Sequence, residues 1–118
     1  MKEKEFTWYK IAGHISELQL AENNIALIEA GGKKICVARI RERVFAFAST
    51  CPHAGGHLAD GHIDILGNIV CPVHHYKYDL KNGRNISGEG YYLKNWPVDV
   101  RQDGVYVALE DRAGLNLF

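Results

Sequence analysis

Cys51 and His53 form a Cys-x-His clip, and after seventeen intervening residues Cys71 and His74 form a Cys-x-x-His clip. Thiolate and neutral imidazole are both good metal ligands, so the two clips supply a four-ligand set. Ligand types alone do not choose the metal. Zinc accepts two Cys and two His, but its sites usually take both Cys from one clip and both His from the other. Here each clip is mixed. Mixed clips also suit a diiron cluster with unequal irons, both Cys on one iron and both His on the other. The flanks favour close wrapping: Pro52 and Pro72 stiffen the chain after each Cys, while Gly55 and Gly56 let backbone approach and aim N–H groups at sulfur. Such hydrogen bonds raise a cluster's potential.

The remaining reactive side chains fit simpler roles. Cys36 lies in the apolar run KKICVARI and reads as a small buried hydrophobe. His57, His62 and His75 crowd the clips, but four ligands are already in place, so they read as exposed loop residues, with His57 or His75 able to shape a docking patch. His14 reads as a surface residue. No Gly-rich phosphate fingerprint suggests a flavin or nicotinamide site, and no Ser/His/Asp pattern stands out.

Fourteen basic residues balance fourteen acidic ones over 118 residues, so no basic field attracts nucleic acid. No run approaches the ~18 apolar residues of a membrane span, and MKEKEFTWYK lacks the apolar region of a secretory signal. A cytoplasmic location is the default, and an odd number of cysteines beside histidines favours metal binding over a disulfide. Nothing specifies a homo-oligomer.

The elements that must position the clips are short β runs punctuated by Gly and Pro, which indicates one all-β domain over 1–118. FTWYKIA (6–12) reads as a first strand, and His14 to Asn24 as a loop with one helical turn, Ser16 its candidate cap. IALIEA and KKICVARI flank Gly31-Gly32, a hairpin turn pair, and VFAFAS completes a meander whose Phe45 and Phe47 make one bulky face. It delivers the chain to Cys51. GHIDILGNIVC reads as a hairpin turning at Leu66, Gly67 and Asn68. YKYDL and RNIS flank Lys81-Asn82-Gly83, another hairpin signal. YYLKNWPVDV and VYVALE, joined at Gln102, Asp103 and Gly104, read as a last hairpin, with Trp96 and Pro97 at an edge or strand start. The tail DRAGLNLF reads as frayed or trivially packed.

With CPHAGGHLADG and CPVHHYKYD at this spacing, the chain resembles the Rieske-type [2Fe-2S] proteins. The resemblance implies an antiparallel β-sandwich or barrel base, with a cluster-binding subdomain inserted at about residues 46–85. It implies one [2Fe-2S] cluster, with Cys51 and Cys71 on one iron and the Nδ atoms of His53 and His74 on the other. Gly55, Gly56, His75, Tyr76 and Tyr78 would surround it. Two ferric ions, two sulfides and two thiolates sum to zero charge, against −2 for an all-thiolate cluster, so an electron enters more easily, at roughly −150 to +300 mV across the family. In high-potential respiratory members the loops carry an extra disulfide and donate serine and tyrosine hydroxyls. Here the disulfide positions correspond to Gly56 and Val73, the serine position to Tyr76, and Tyr78 is retained. The expectation is a potential in the lower half of the span, with Tyr78 bonded to a cysteine sulfur. The ISGEGYY segment lacks the family's proline-rich cover, which implies a looser one.

The function implied is one-electron transport by a soluble ferredoxin, passing electrons from a flavin-dependent reductase to a terminal oxygenase. The length leaves no room for an oxygenase's own mononuclear iron domain. The alternatives are a Rieske-like small subunit of a nitrite reductase-type or other multi-component oxidoreductase and, more remotely, a Cys2His2 zinc interaction module.

Overall fold

The computed structural model describes residues 6–110 apart from Ala54 and Glu89, so the expectation for the tail lies outside the described residues. The first strand, β1 (Phe6–Ala12), has the limits its sequence suggests. One turn of 3-10 helix follows at Ile15–Glu17, but its cap is His14 and not Ser16. The Ser16 N–H donates to His14 Nδ1 at 3.1 Å, and Gly13 N–H donates to the Glu17 carboxylate at 3.1 Å, so an imidazole performs the task expected of the hydroxyl.

Next comes the meander of β2 (Ile25–Ala30), β3 (Lys33–Ile40) and β4 (Arg43–Ala48). Gly31 and Gly32 turn between β2 and β3 at φ +57° and +76°, angles that a Cβ opposes. The bulky face of Phe45 and Phe47 does meet a core, and the opposite faces of β3 and β4 are buried as well. Ile35, Val37, Val44 and Ala46 enter one core, while Cys36, Ala38 and Phe47 enter a second. Period-two alternation therefore divides each strand between two cores.

The second core is closed by a small sheet of β5 (His62–Ile63), β6 (Asn68–Val70) and β7 (Lys77–Asp79), which lies with both clips between β4 and β8 (Asn95–Trp96) in the chain. The β5–β6 turn is centred one step earlier than expected, because Asp64 organises it. Its Oδ1 accepts the N–H groups of Leu66 and Asn68 at 3.0 and 2.9 Å, and the buried Asn68 side chain donates to Oδ2 at 3.1 Å. Asn68 thus begins β6. The RNIS segment is no strand: Arg84 and Asn85 make only isolated bridges, to Tyr92 and Tyr78. Asn82 and Asn85 side chains accept the N–H groups of Arg84 and Ser87, which bends the chain into turns in place of a ladder.

The YYLKNWPVDV run also divides. β8 pairs with β4 at the edge of the sheet ordered β2-β3-β4-β8, whereas β9 (Val98–Arg101) joins β10 (Gly104–Glu110) in the sheet ordered β1-β10-β9. Pro97 marks the crossing. It has no N–H for a ladder, and its carbonyl accepts from Ala108 N–H at 3.0 Å. Val105, Val107 and Leu109 of β10 pack with Ile35, Val37 and Trp96, which makes the two larger sheets an antiparallel sandwich.

Candidate metal centre

Two loops of one design carry the clips. Cys51 N–H donates to the Gly56 carbonyl at 2.9 Å and Gly55 N–H to the Cys51 carbonyl at 2.9 Å. In the second loop Cys71 N–H donates to the Tyr76 carbonyl at 2.8 Å and His75 N–H to the Cys71 carbonyl at 3.0 Å. The residue four places after each cysteine is left-handed, Gly55 at φ +72° and His75 at +61°. Histidine tolerates that region better than most side chains. The loops meet at Gly56, where an added Cβ would lie 2.6 Å from Val73 Cγ2 and 3.0 Å from Cys71 Sγ. Gly56 is there for space.

Cys51 and Cys71 are 2% and 1% exposed, and neither is in a disulfide. Burial pushes the Cys71 thiol up against the pull of the Val73 and His74 N–H groups, and its hydrogen bond with Cys51 adds to the push. Backbone N–H groups are therefore aimed at this sulfur, but from the second loop; Gly55 spends its own N–H on the Cys51 carbonyl. Tyr78, fully buried, places its hydroxyl 3.3 Å from Cys51 Sγ. Burial first, then that bond, holds its pKa far above the usual phenol range, so it stays a donor.

The imidazoles sit outward of the sulfurs. His74 is exposed and His53 half-buried, their ring centroids 5.4 Å apart. His53 stacks on Tyr76 at 3.9 Å and 11°, and its ring makes an edge-to-face contact with Tyr91 at 5.2 Å and 64°. Its Nδ1 is buried without a hydrogen-bond partner. An orphaned buried nitrogen is costly unless a ligand satisfies it, and an iron ion at this position would do so. Among the described residues no three His, Cys, Asp or Glu side chains converge as one group; the four candidates form a cysteine pair and a histidine pair. A donor set of two soft thiols and two imidazoles in separate pairs fits a cluster with one iron for each pair.

His57 and His62 are exposed, the first capping a 3-10 turn at Leu58–Asp60 and the second in β5. His75 is exposed too, yet its backbone conformation shapes the second loop, a role missed in the sequence although Gly55 and His75 share the same offset from a cysteine. Tyr91 was also missed as a neighbour of His53. Only the fold brings it there. Cys36 is fully buried beneath the site, where burial pushes its thiol up to about 11.

Residues 7–97 match the Rieske [2Fe-2S] domain. The ferredoxin component of the alkene monooxygenase system of Xanthobacter autotrophicus is 22% identical over 77% of this chain and 75% of its own length. The ferredoxin subunit of anthranilate 1,2-dioxygenase of Burkholderia cepacia is 33% identical over 64% of this chain and 67% of its own. The chain spans only 24% of the oxygenase subunit of glycine betaine monooxygenase of Pseudomonas aeruginosa, at 29% identity. Among solved structures, a chain in the complex of reduced oxygenase and oxidized ferredoxin of carbazole 1,9a-dioxygenase superposes with a TM-score of 0.71 at 27% identity, over 86% of this chain and 92% of that one. A protein described as a nitrite reductase small subunit from Mycobacterium tuberculosis superposes at 0.74 with 17% identity, over 89% of this chain and 96% of that one, a likeness of fold alone. The two-pair site, the sandwich beneath it and the match over most of the sequence lead to one conclusion: the chain belongs to the Rieske [2Fe-2S] domain family.

Proposed function

We propose that this chain is a one-electron carrier that takes electrons from a flavin-dependent reductase and delivers them to a terminal oxygenase in the cytoplasm. Cys51, Cys71, His53 and His74 would hold one [2Fe-2S] cluster, which would supply the chemistry of accepting and returning a single electron. The observation that carries this reading is the burial gradient across the four ligands. Both sulfurs are buried, while His74 reaches solvent.

Each part of the chain then has a task. Buried cysteines are kept from water and oxidants, and Tyr78 donates to the Cys51 sulfur in a dry setting where that bond is strong. A partner approaches the exposed imidazole edge, where the path for an electron is shortest. Around it Val73 and Tyr91 are 47% and 42% exposed, beside exposed Pro52 and His75, a small apolar collar on a chain of zero net charge. Such a surface suits weak, brief redox encounters. The residues from 46 to 85 serve as a cluster-binding subdomain on the sandwich, supported by the separate β5-β6-β7 sheet. No helix among the described residues is long and apolar enough to cross a membrane.

The ferredoxin names of the alkene monooxygenase and anthranilate dioxygenase relatives support an oxygenase as acceptor. The nitrite reductase-type reading rests on fold alone. The test is reconstitution: anaerobic protein is mixed with a flavin-dependent reductase and NADH, then with an oxygenase, and its visible spectrum followed. Bleaching and recovery are expected, and His53→Ala and His74→Ala abolish them. A colourless protein with stoichiometric zinc, or variants with an unaltered red-brown spectrum, would overturn the assignment.

A further inference from the structure

His53 and His74 occupy unlike surroundings. His74 is exposed, whereas the His53 ring has one face covered by Tyr76, stacked at 3.9 Å and 11°, and meets Tyr91 at 5.2 Å and 64°. The two tyrosines come from separate segments, the second clip loop and the stretch before β8. Between them the Nδ1 atom is buried and unpartnered. A lone imidazole on a loop has two soft torsions, and no hydrogen bond at the buried Nδ1 fixes this one. Aromatic contact from two directions does.

We propose that Tyr76 and Tyr91 are positioning residues that clamp the His53 imidazole, making it the fixed, covered ligand and leaving His74 as the contact for redox partners. The clamp acts through ring faces and edges, so it needs the aromatic rings and not the Tyr76 hydroxyl. It also gives the segment that lacks proline a role: Tyr91, in ISGEGYY, packs against the His53 ring. Stacking orders the ligand before a metal arrives, which lowers the entropic cost of binding it.

The inference rests on the ligand assignment above, and the experiment separates the two. Reduced holoprotein with 15N-labelled histidine is examined by pulsed EPR, comparing wild type with Tyr76→Ala, Tyr76→Phe and Tyr91→Ala. Wild type is expected to show two histidine nitrogen couplings. Tyr76→Ala and Tyr91→Ala each broaden or shift one of them and leave the other in place, and Tyr76→Phe restores the wild-type pattern. Cluster loss to a chelator accelerates roughly fivefold for each Ala variant, the weight of one aromatic pair, and stays at the wild-type rate for Phe. Tyr91 is partly exposed, so its Ala variant folds even where Tyr76→Ala does not. Absence of any histidine coupling in wild type defeats the ligand assignment itself. Two couplings that are unchanged in Tyr91→Ala, or a Tyr76→Phe as perturbed as Tyr76→Ala, overturn the clamp alone.

Discussion

Replacing Tyr78 by Phe removes one oxygen from the buried surroundings of Cys51 and keeps the ring that fills the core. The hydroxyl lies 3.3 Å from Cys51 Sγ, and Tyr78 is fully buried. Hydrogen bonds to charged groups contribute about 1.5–3 kcal/mol, and a sulfur acceptor at this distance belongs in the lower half. Only the part gained on reduction shifts a potential, because reduction puts more negative charge on the sulfur. A gain of ~0.5–1 kcal/mol, from a quarter to a half of the bond, lowers a one-electron potential by ~20–45 mV at 59 mV per tenfold. Protein-film voltammetry of both proteins reads this directly, with the visible spectrum confirming equal cluster content. Burial holds the Tyr78 hydroxyl protonated far into alkali, so the difference is the same at pH 7 and pH 9. A potential unchanged or raised in Tyr78→Phe, or a difference that varies with pH over that interval, would refute the reasoning.

Three further perturbations probe the scaffold. Gly56→Ala places a Cβ 2.6 Å from Val73 Cγ2, costing ~1–3 kcal/mol by overpacking; Val73→Ala in the same chain removes that methyl and restores most of the loss in thermal unfolding, and a double variant no better than the single one counts against the contact. Asp64→Ala removes three hydrogen bonds and destabilises by ~2 kcal/mol at pH 7. Against the upward push of desolvation, the Asn68 and Leu66 hydrogen bonds and the Lys77 ammonium hold the Asp64 carboxyl below its ordinary range. Its stabilisation is therefore complete above about pH 4 and lost as pH falls through the folded pKa, so denaturant titrations of wild type and Asp64→Ala converge in acid. Cys36, with its pKa pushed up to about 11, is ionised in only about one molecule in a thousand at pH 8, and a thiol reagent added to holoprotein reacts at the rate of unfolding; immediate labelling of the native protein contradicts its burial.

Local signals carried much of the fold and the pairing of the clips, and they failed where a partner strand or ring decides the structure. β2 and β3 were legible because two apolar runs bracket Gly31-Gly32, whose left-handed angles a hairpin demands. β8 and β9 were not legible as separate strands. One continuous pattern runs through Trp96 and Val98, and which sheet each half joins depends on β4 and β10, far away in sequence. Tyr91 likewise reaches His53 from 38 residues along the chain through tertiary packing that no spacing rule encodes.

The glycine pair in the first clip shows what sequence leaves undivided. Gly55 and Gly56 read together as room for a wrapping loop. In the structure they answer different demands. Nothing lies within 4 Å of a Cβ added at Gly55, but its φ of +72° is left-handed; Gly56 has no such angle, but its Cβ would strike Val73 and Cys71. The second loop separates the same two demands, since His75 meets the left-handed angle with a side chain that points into open solvent, and Tyr76, one place later, has room for a whole ring. The matched loops are thus free to differ where they face outward, and there the second one supplies the ring that stacks on the first loop's histidine.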